Sequence, residues 1–375
     1  MKRVTVICLV LILSLFVTSV WAASVRTGND IVRVVRVGGK LYFEYNDGTR
    51  ITEIEMAKLA KAEGKIVSYG MPDDWANLGE IWKAFCAKYG LTHEDTDMGS
   101  MEELNKFAAE KDKPIADVGD IGIAFGSVGI KMGVLAPFKN SRWNEIPDWA
   151  KEGNGYWCTE YFGTIAFLVR TDIVKNPPKS FKDLLKPEYK LQVCMDDPRQ
   201  GAQGQYTLLA AAFANGGDEK NIMPGIEFFA KLKSIGNLKP VETNPGNIQR
   251  GEAPIAITWD FRALEYKRTL GVPLEVIIPR DGTAIGAYVA IINKYAPHPY
   301  TARLFNEFLF SNEAQIMYAK SGASPIRKVI IPKEIASQLP TRASYKNARA
   351  IKDWDTWTET SKKIPDLWEE EVLSK

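Results

Sequence analysis

The sequence predicts an α/β protein of two domains, each with a mostly parallel sheet flanked by helices. Apolar runs typical of strands alternate with segments whose apolar residues recur at three- and four-residue steps, which is the helical spacing. Two long extended runs, at residues 161–170 and 283–293, bracket a set of strands and helices that is complete by itself. A chain of 375 residues also suits two domains of about 100 to 200 residues each.

The predicted elements begin with an N-terminal extension. Residues 31–51 hold two β-prone runs separated by Gly38-Gly39, which predicts a hairpin. Helical spacing then runs as far as Gly64. Beyond it we predict strands at 65–69 and 116–122, a helix that stops at Gly90 and a helix at 101–110. Ligands of parallel sheets bind at the carboxyl ends of the strands, so the loops after these strands are candidate binding loops.

The segment between the two extended runs supplies the second α/β set. It comprises helix 181–185, strand 191–195, helices 203–215 and 225–235, strand 255–258, helix 261–270 and strand 274–278. The extended runs are therefore predicted to be paired crossovers between the domains. The tail from residue 351 is predicted to be helical, with Trp354, Trp357, Ile364 and Trp368 available for packing.

The charged residues argue against several kinds of site. The chain has 48 Lys plus Arg against 46 Asp plus Glu, and no basic stripe is interleaved with aromatic residues. Such a balance does not gather a phosphate backbone, so we do not expect nucleic-acid binding. The sequence contains two histidines, His93 and His298, which excludes a His-rich metal site. We predict no metal site and no cofactor.

Residues 1–22 have the pattern of a secretory signal peptide. Lys2 and Arg3 precede an apolar run over residues 4–17, and small residues lead up to Ala22. The run is shorter than the ~20 residues that a membrane-spanning helix needs. We therefore expect cleavage after Ala22 and secretion.

Three cysteines follow this segment: Cys86, Cys158 and Cys194. An oxidising compartment favours one disulfide and one free buried thiol. The spacing does not choose the pair, and we take Cys158 with Cys194 as the working assignment.

Residues 60–70, Ala-Lys-Ala-Glu-Gly-Lys-Ile-Val-Ser-Tyr-Gly, resemble the opening of the bacterial family 1 extracellular solute-binding proteins, the capture components of ABC importers. Further segments agree in order: Asp117-Val-Gly-Asp120, Gly133 to Phe138, Tyr156 to Gly163, Asp197-Pro198, Gly282 to Gly286 and Phe308 to Gln315. The resemblance covers roughly residues 52–330 and departs from the family in the N-terminal hairpin and the Trp-containing tail. The most similar branch holds iron, polyamine, thiamine and aminophosphonate or organophosphate binders.

This resemblance implies a type II periplasmic-binding-protein fold, whose two lobes close on a ligand by hinge motion. It also implies a periplasmic protein. We expect residues 1–22 as the signal peptide, 23–51 as the extension, 52–163 as the first part of lobe 1, 164–283 as lobe 2 and 284–375 as the completion of lobe 1 with the tail.

The resemblance implies binding without chemistry. We expect a monomer that captures a small polar solute, such as an amine, an aminophosphonate or an organophosphate, and delivers it to a membrane permease. No Gly-x-Ser-x-Gly, phosphate-loop or His-Glu-x-x-His motif points to an enzyme. Two alternatives stay open: a partner of a membrane sensor kinase, and a secreted hydrolase that uses a carboxylate pair.

Asp73, Asp74 and Trp75 follow the first predicted strand of the main fold. Adjacent carboxylates beside an indole suit a cationic amine, through charge-assisted hydrogen bonds and a cation–π contact. Either acid could instead cap a helix that begins near Trp75.

Other candidates suit an anion. Ser100 and Phe125-Gly126 stand at predicted helix starts, where free N–H groups bind anions. In the second lobe, Arg199 is a candidate clamp for an anion, whereas Asp197 beside it suits an amine.

Four further candidates lie at predicted strand ends and crossovers. Trp259 and Asp260 end a strand at the expected binding edge of the second lobe, and Trp259 is the strongest candidate there. Tyr161 and Tyr288 stand on the two extended runs, from which their rings can reach the cleft.

Two departures from the family pattern narrow the range of ligands that we expect. Ferric-binding members carry adjacent tyrosines where this chain has Asp260-Phe261, so direct ferric coordination is not expected. Polyamine binders carry a Trp and an acid where this chain has Ile285-Gly286-Ala287, which argues against a strict polyamine site. Carboxylates with indoles favour a cation and helix starts favour an anion, and an aminophosphonate zwitterion would use both.

Overall fold

The computed structural model describes residues 26–374, so the predicted signal peptide at residues 1–22 lies outside the described residues. The strands are β1 (Ile31–Val37), β2 (Lys40–Tyr45), β3 (Arg50–Thr52), β4 (Lys65–Tyr69), β5 (Thr92–Thr96), β6 (Val118–Gly122), β7 (Trp157–Arg170), β8 (Val193–Met195), β9 (Ile255–Trp259), β10 (Leu274–Ile277), β11 (Thr283–Ile292), β12 (Ser324–Pro325) and β13 (Ala348–Ala350). The α-helices are α1 (Glu53–Glu63), α2 (Leu78–Tyr89), α3 (Ser100–Ala109), α4 (Gly126–Met132), α5 (Ala202–Ala214), α6 (Met223–Ser234), α7 (Pro245–Gln249), α8 (Asp260–Thr269), α9 (Pro299–Leu309), α10 (Asn312–Ser321), α11 (Lys333–Ala336), α12 (Trp354–Ser361) and α13 (Ile364–Trp368). No helix within residues 26–374 is long and apolar enough to cross a membrane.

The central sheet has the strand order β5-β4-β6-β11-β7-β9-β8. Strands β5, β4 and β6 run parallel, whereas β11 runs antiparallel to both β6 and β7. Strand β7 joins two halves of this sheet: it pairs with β11 up to Thr164 and with β9 from Ile165 onward. We call β5, β4, β6, β11 and the first half of β7 the first lobe. The second half of β7 with β9, β8 and β10 forms the second lobe.

The N-terminal extension forms a small antiparallel sheet. The pairing of Arg50–Thr52 with β2 adds a third strand to the predicted hairpin. Gly38 and Gly39 have φ angles of 55° and 79°, which residues with a side chain rarely adopt, so the glycine pair permits the tight turn. The buried Arg303 of α9 donates to the carbonyl of Ile31 at 2.7 Å, which anchors the extension to the first lobe.

Two local predictions need correction. The sequence does not predict β5, because Thr-His-Glu-Asp-Thr carries no apolar run. This strand forms the edge of the sheet, and three of its five residues are exposed. The loop after β4 is also longer than expected, since α2 begins at Leu78 and not near Trp75. The N-cap residue of α2 is Asn77, so neither Asp73 nor Asp74 caps this helix.

The working disulfide is wrong, because Cys86, Cys158 and Cys194 are all free thiols. Cys158 lies opposite Ala290 in the first lobe, whereas Cys194 lies opposite Ala256 in the second lobe. The two residues are therefore core positions of different lobes. Burial raises the pKa of the Cys158 thiol well above its usual range, which suits a packed and unreactive side chain.

The C-terminal tail, residues 351–374, contacts both lobes. The Trp357 ring lies 6.0 Å from the ring of Tyr206 on α5, and the Trp368 ring lies 5.9 Å from a phenylalanine ring of α6. Trp354 packs against an apolar cluster of the first lobe. The tryptophans of the tail are packing residues, and together they tie the tail to the two lobes.

Candidate ligand-binding cleft between the lobes

A cavity of about 410 Å³ lies between the lobes, beside the carboxyl ends of β4 and β6. We call it the interlobe cavity. It is lined by Gly70, Pro72, Trp75, residues 97–103, Asp120, Phe125 and Tyr288, and by Gln200, Gly201 and Ala202 of the second lobe. Its position agrees with the rule that ligands of α/β sheets bind at the carboxyl ends of the strands.

A second cavity of about 590 Å³ extends along the second lobe, and we call it the second-lobe groove. Loops between residues 195 and 204 and between 238 and 245 line it, together with residues of α8 and of the tail. Trp75, Gln200 and Gly201 line both cavities. The two cavities are therefore neighbouring parts of one cleft.

Two helix N-termini meet at the interlobe cavity. Gly99 is the N-cap residue of α3 in the first lobe, and Gly201 is that of α5 in the second lobe. Glycine has no side chain with which to bind the free N–H groups of the first turn. The Ser100 hydroxyl oxygen accepts the N–H of Gly122 at 3.0 Å, so its own O–H is left to donate. The positive ends of two helix dipoles thus face one space, which suits an anion.

Glu103, in the first turns of α3, is a buried carboxyl group that lines the interlobe cavity. Its carboxyl occupies the space left by Gly70 and Gly119, where a methyl group at either glycine would collide with its oxygens. Burial raises the pKa of Glu103 well above its usual range, and the nearby Asp120 carboxyl raises it further. Within residues 26–374, Glu103 Oε2 has no hydrogen-bond partner.

Asp120 and Glu160 form a buried acid pair close to Glu103. The Tyr161 hydroxyl donates to Asp120 Oδ2 at 2.5 Å, and the Tyr318 hydroxyl donates to Glu160. The other oxygens of the pair, Asp120 Oδ1 and Glu160 Oε1, have no hydrogen-bond partner among residues 26–374. Burial raises the pKa of both groups, and the charge of Asp120 raises the pKa of Glu160 further.

Four residues predicted from the sequence line the interlobe cavity: Trp75, Ser100, Phe125 and Tyr288. Tyr161 lies behind them, fully buried, with its ring stacked on that of Tyr288 at 5.4 Å. Its hydroxyl accepts a hydrogen bond from Trp75 Nε1 at 2.6 Å. This contact fixes the indole at the cavity, so Tyr161 positions a lining residue.

Asp73 and Asp74 are exposed and lie outside both cavities. The carbonyl of Asp74 accepts a hydrogen bond from Arg262 Nη1 at 2.6 Å, and this guanidinium lies 5.1 Å from the Trp75 ring. The cation that contacts this indole is therefore a side chain of the opposite lobe. Gly126 lies outside both cavities as well, buried against an indole of β7.

Asp197 and Arg199 line the second-lobe groove but are paired with each other. Arg199 Nη2 lies 2.6 Å from Asp197 Oδ2, and Arg199 Nη1 lies 2.6 Å from Glu369 Oε2 of the tail. The hydrogen bond from Arg199 lowers the pKa of Asp197. The guanidinium expected to clamp an anion is engaged with the protein.

Trp259 and Asp260 lie deeper than the cleft surface. Trp259 is fully buried against Gly286, where any side chain would collide with the indole. Asp260 is also fully buried and accepts the N–H of Thr164 and the O–H of Tyr345, both at 2.9 Å. Both residues lie outside the two cavities. Polyamine binders carry a Trp and an acid where this chain has Ile285-Gly286-Ala287. At Gly286 there is no room for a side chain, because Trp259 fills the space that it would need.

Sequence reasoning missed Glu103, Asp120 and the N–H groups at Ala202, all of which face the interlobe cavity. A signal for Glu103 exists, since it lies on the buried face of α3 with Leu104 and Phe107. An acid on an apolar stripe is unusual enough to mark a candidate site.

Comparison with known proteins identifies the family. Residues 113–360 match the family of bacterial extracellular solute-binding proteins. An uncharacterized protein of Haemophilus influenzae is 30% identical over 335 residues, which are 84% of this chain and 92% of that protein. The chain belongs to the bacterial extracellular solute-binding proteins. The family expected from the sequence is confirmed.

This solute-binding protein has further relatives. A "Putative 2-aminoethylphosphonate-binding periplasmic protein" of Salmonella typhimurium is 24% identical over 268 residues, covering 69% of this chain and 77% of its own. The periplasmic binding protein AfuA from Actinobacillus pleuropneumoniae, solved with exogenous fructose-6-phosphate, is 22% identical with a TM-score of 0.67, covering 83% of this chain and 99% of its own. The spermidine/putrescine-binding protein PotD from Streptococcus pneumoniae is 16% identical with a TM-score of 0.63, covering 82% and 99%. These structures confirm the two-lobed type II fold.

Proposed function

We propose that this solute-binding protein captures a small solute with a phosphonate or phosphate group in the interlobe cavity and delivers it to the permease of an ABC importer. One observation carries the proposal: the N-termini of α3 and α5 come from opposite lobes and line the same cavity. An anion held there contacts both lobes at once. Only a ligand that contacts both lobes better in the closed form can drive closure.

The side chains around these N-termini suit such a solute. Ser100 offers a hydroxyl donor, and Trp75, Phe125 and Tyr288 supply apolar and aromatic walls for the rest of a small molecule. The name of the Salmonella typhimurium relative points to the same chemical class. We include aminophosphonates and organophosphates in this class.

The proposal also covers location and assembly. We infer that the protein works in the periplasm as a monomer after removal of residues 1–22. We further infer that residues 52–163 and 284–375 build lobe 1 and that residues 164–283 build lobe 2. The family of extracellular solute-binding proteins supports this location.

A thermal-shift screen of the purified mature chain tests the ligand class. We expect 2-aminoethylphosphonate, ethylphosphonate or a sugar phosphate to raise the Tm, because a ligand that binds the folded state stabilises it by mass action. Potassium chloride at matched ionic strength serves as the control. A Tm raised by spermidine or ferric citrate and unchanged by every phosphonate and phosphate would contradict the proposal.

A further inference from the structure

Three buried carboxyl groups crowd the first-lobe side of the interlobe cavity. Glu103, Asp120 and Glu160 are each at most 3% exposed. No Lys or Arg within residues 26–374 is among the main influences on their pKa values. Three carboxyls this close cannot all ionise unless a cation joins them. The cavity therefore holds more acidic groups than the described part of the protein neutralises.

We propose that the interlobe cavity contains a subsite for a primary ammonium group, formed by the carboxyls of Glu103 and Asp120. This inference rests on the proposed function, because the ammonium group belongs to the solute whose anionic group meets the two helix N-termini. The preferred solute is then a zwitterion with an ammonium group at one end and a phosphonate or phosphate group at the other.

The position of Glu103 supports this role. Its carboxyl fits beside Gly70 and Gly119 only because both residues lack a side chain. Its Oε2 has no hydrogen-bond partner in the described part of the chain, although it is buried and the residue lines the cavity. A buried acceptor without a partner is unfavourable, and an ammonium donor from the ligand would satisfy it.

The acid pair supplies the second half of the subsite. Asp120 lines the cavity, and the hydroxyl of Tyr161 holds its Oδ2 from behind. Asp120 Oδ1 has no hydrogen-bond partner in the described part of the chain, so an ammonium group of the ligand would satisfy it as it satisfies Glu103 Oε2. The described residues hold no group of three or more His, Cys, Asp or Glu side chains arranged for a metal ion. The geometry favours an organic cation.

The same carboxyls could instead bind the anionic end of the solute as proton donors. The two roles predict opposite dependences of binding affinity on pH. A neutral Glu103 could donate its proton to a phosphonate oxygen, and binding would then weaken as the pH rises and the acid ionises. An ammonium partner needs the ionised form, so binding would strengthen with rising pH.

The charged and titratable groups around the subsite come from several elements. They are Asp95 and Asp97 at the end of β5, Glu160 and Tyr161 on β7, Tyr288 on β11, Tyr318 on α10 and Arg262 on α8. The tyrosines stay neutral and the arginine stays charged between about pH 5 and pH 8. Once the ionisation of the phosphonate group of the ligand is accounted for, a change of affinity over this range therefore reports the carboxyl groups.

Calorimetric titration of the mature protein with two matched ligands tests the subsite. 2-Aminoethylphosphonate and ethylphosphonate differ in the ammonium group. Because that group also lowers the second pKa of the phosphonate, each Kd is expressed per dianionic phosphonate from a titration of the free ligand. At about pH 8 we expect ethylphosphonate to bind about tenfold to a hundredfold more weakly, as for a lost charge-assisted hydrogen bond. The ratio should shrink toward about pH 5.5. Equal affinities at both pH values would overturn the ammonium subsite.

Glu103→Gln keeps the size of the side chain and removes the charge. We expect this variant to bring the ratio of Kd values close to one, while Asp112→Asn, an exposed charge removal beyond the end of α3, keeps the wild-type ratio. A wild-type ratio in Glu103→Gln would overturn the role of Glu103. Failure of these two ligands and of the sugar phosphates to bind wild-type protein would refute the proposed function instead, which separates the two proposals.

Discussion

The two walls of the cleft differ in how their polar groups are satisfied. On the first-lobe wall, Glu103 Oε2 has no partner in the described part of the chain, and the N-terminus of α3 ends at a glycine. On the second-lobe wall, Arg199 is held by Asp197 and Glu369. Asp196 accepts hydrogen bonds from Gln203 of α5 and from the loop residue Thr243. The N-terminus of α5 on this wall is left for a ligand.

This difference indicates that the two lobes contribute differently to ligand binding. A ligand gains most where it satisfies groups that the protein leaves unpaired, because paired groups must first release their partners. We therefore expect the first lobe to determine affinity and chemical selectivity. The second lobe should contribute one helix terminus and the contacts that favour closure.

We expect the largest loss of affinity when the N-terminus of α3 is blocked. At Gly99 a new side chain meets no atom within 4 Å, so Gly99→Asp should fold normally. Its carboxylate would cap α3 and place a like charge where the solute anion binds, and such a charge costs several kcal/mol. We expect the Kd for 2-aminoethylphosphonate to rise about a hundredfold or more in calorimetry.

Gly99→Asn is the matched control, because it caps the same N–H groups without a charge. Its Kd should fall between those of the wild type and Gly99→Asp. If Gly99→Asp binds like the wild type, the α3 terminus does not hold the anion.

The corresponding change in the second lobe should have a smaller effect. Gly201→Asp also meets no atom within 4 Å. Arg199, two residues earlier, can pair with the new carboxylate and reduce its repulsion of the solute. We expect the Kd to rise about tenfold. A larger loss than in Gly99→Asp would reverse the assignment of affinity to the first lobe.

A buried carboxyl of the second lobe should act on stability and not on binding. Burial raises the pKa of Asp260 to about 7 from an ordinary value of 3.8. The folded state then holds the proton more tightly than the unfolded chain, so this stabilising contribution is fully present below pH 3.8 and is lost as the pH rises from there through about 7. Asp260→Asn should reduce the loss of unfolding free energy between about pH 5 and pH 8 by about 3 kcal/mol, since about two pKa units at roughly 1.4 kcal/mol each lie in this range.

Urea denaturation at both pH values measures this change, and calorimetry should find the Kd within about twofold of the wild type. A tenfold loss of affinity would show that Asp260 reaches the ligand, in conflict with its contacts to Thr164 and Tyr345.

Sequence patterns predicted the fold better than the site, for physical reasons. Apolar periodicity follows burial, so β7, β11 and the helices between them were predictable, whereas the edge strand β5 has no buried face to mark it. Trp259 stands at a strand end, as cleft residues do, but its contact with Gly286 depends on pairing between distant strands. Glu103 needs two glycines to make room, Gly70 after β4 and Gly119 in β6, and no local spacing encodes that arrangement.

The smallest expected effect concerns Arg199, a candidate anion clamp by sequence. It lines the second-lobe groove while bound to Asp197 and Glu369, so a ligand would have to compete with two carboxylates for it. Arg199→Ala should therefore change the Kd by less than about threefold. Glu369→Gln, which frees one side of the guanidinium from the tail, is the companion variant. If Arg199→Ala weakens binding more than about tenfold and Glu369→Gln strengthens it, the arginine leaves its partners for the ligand, and the two walls share the solute.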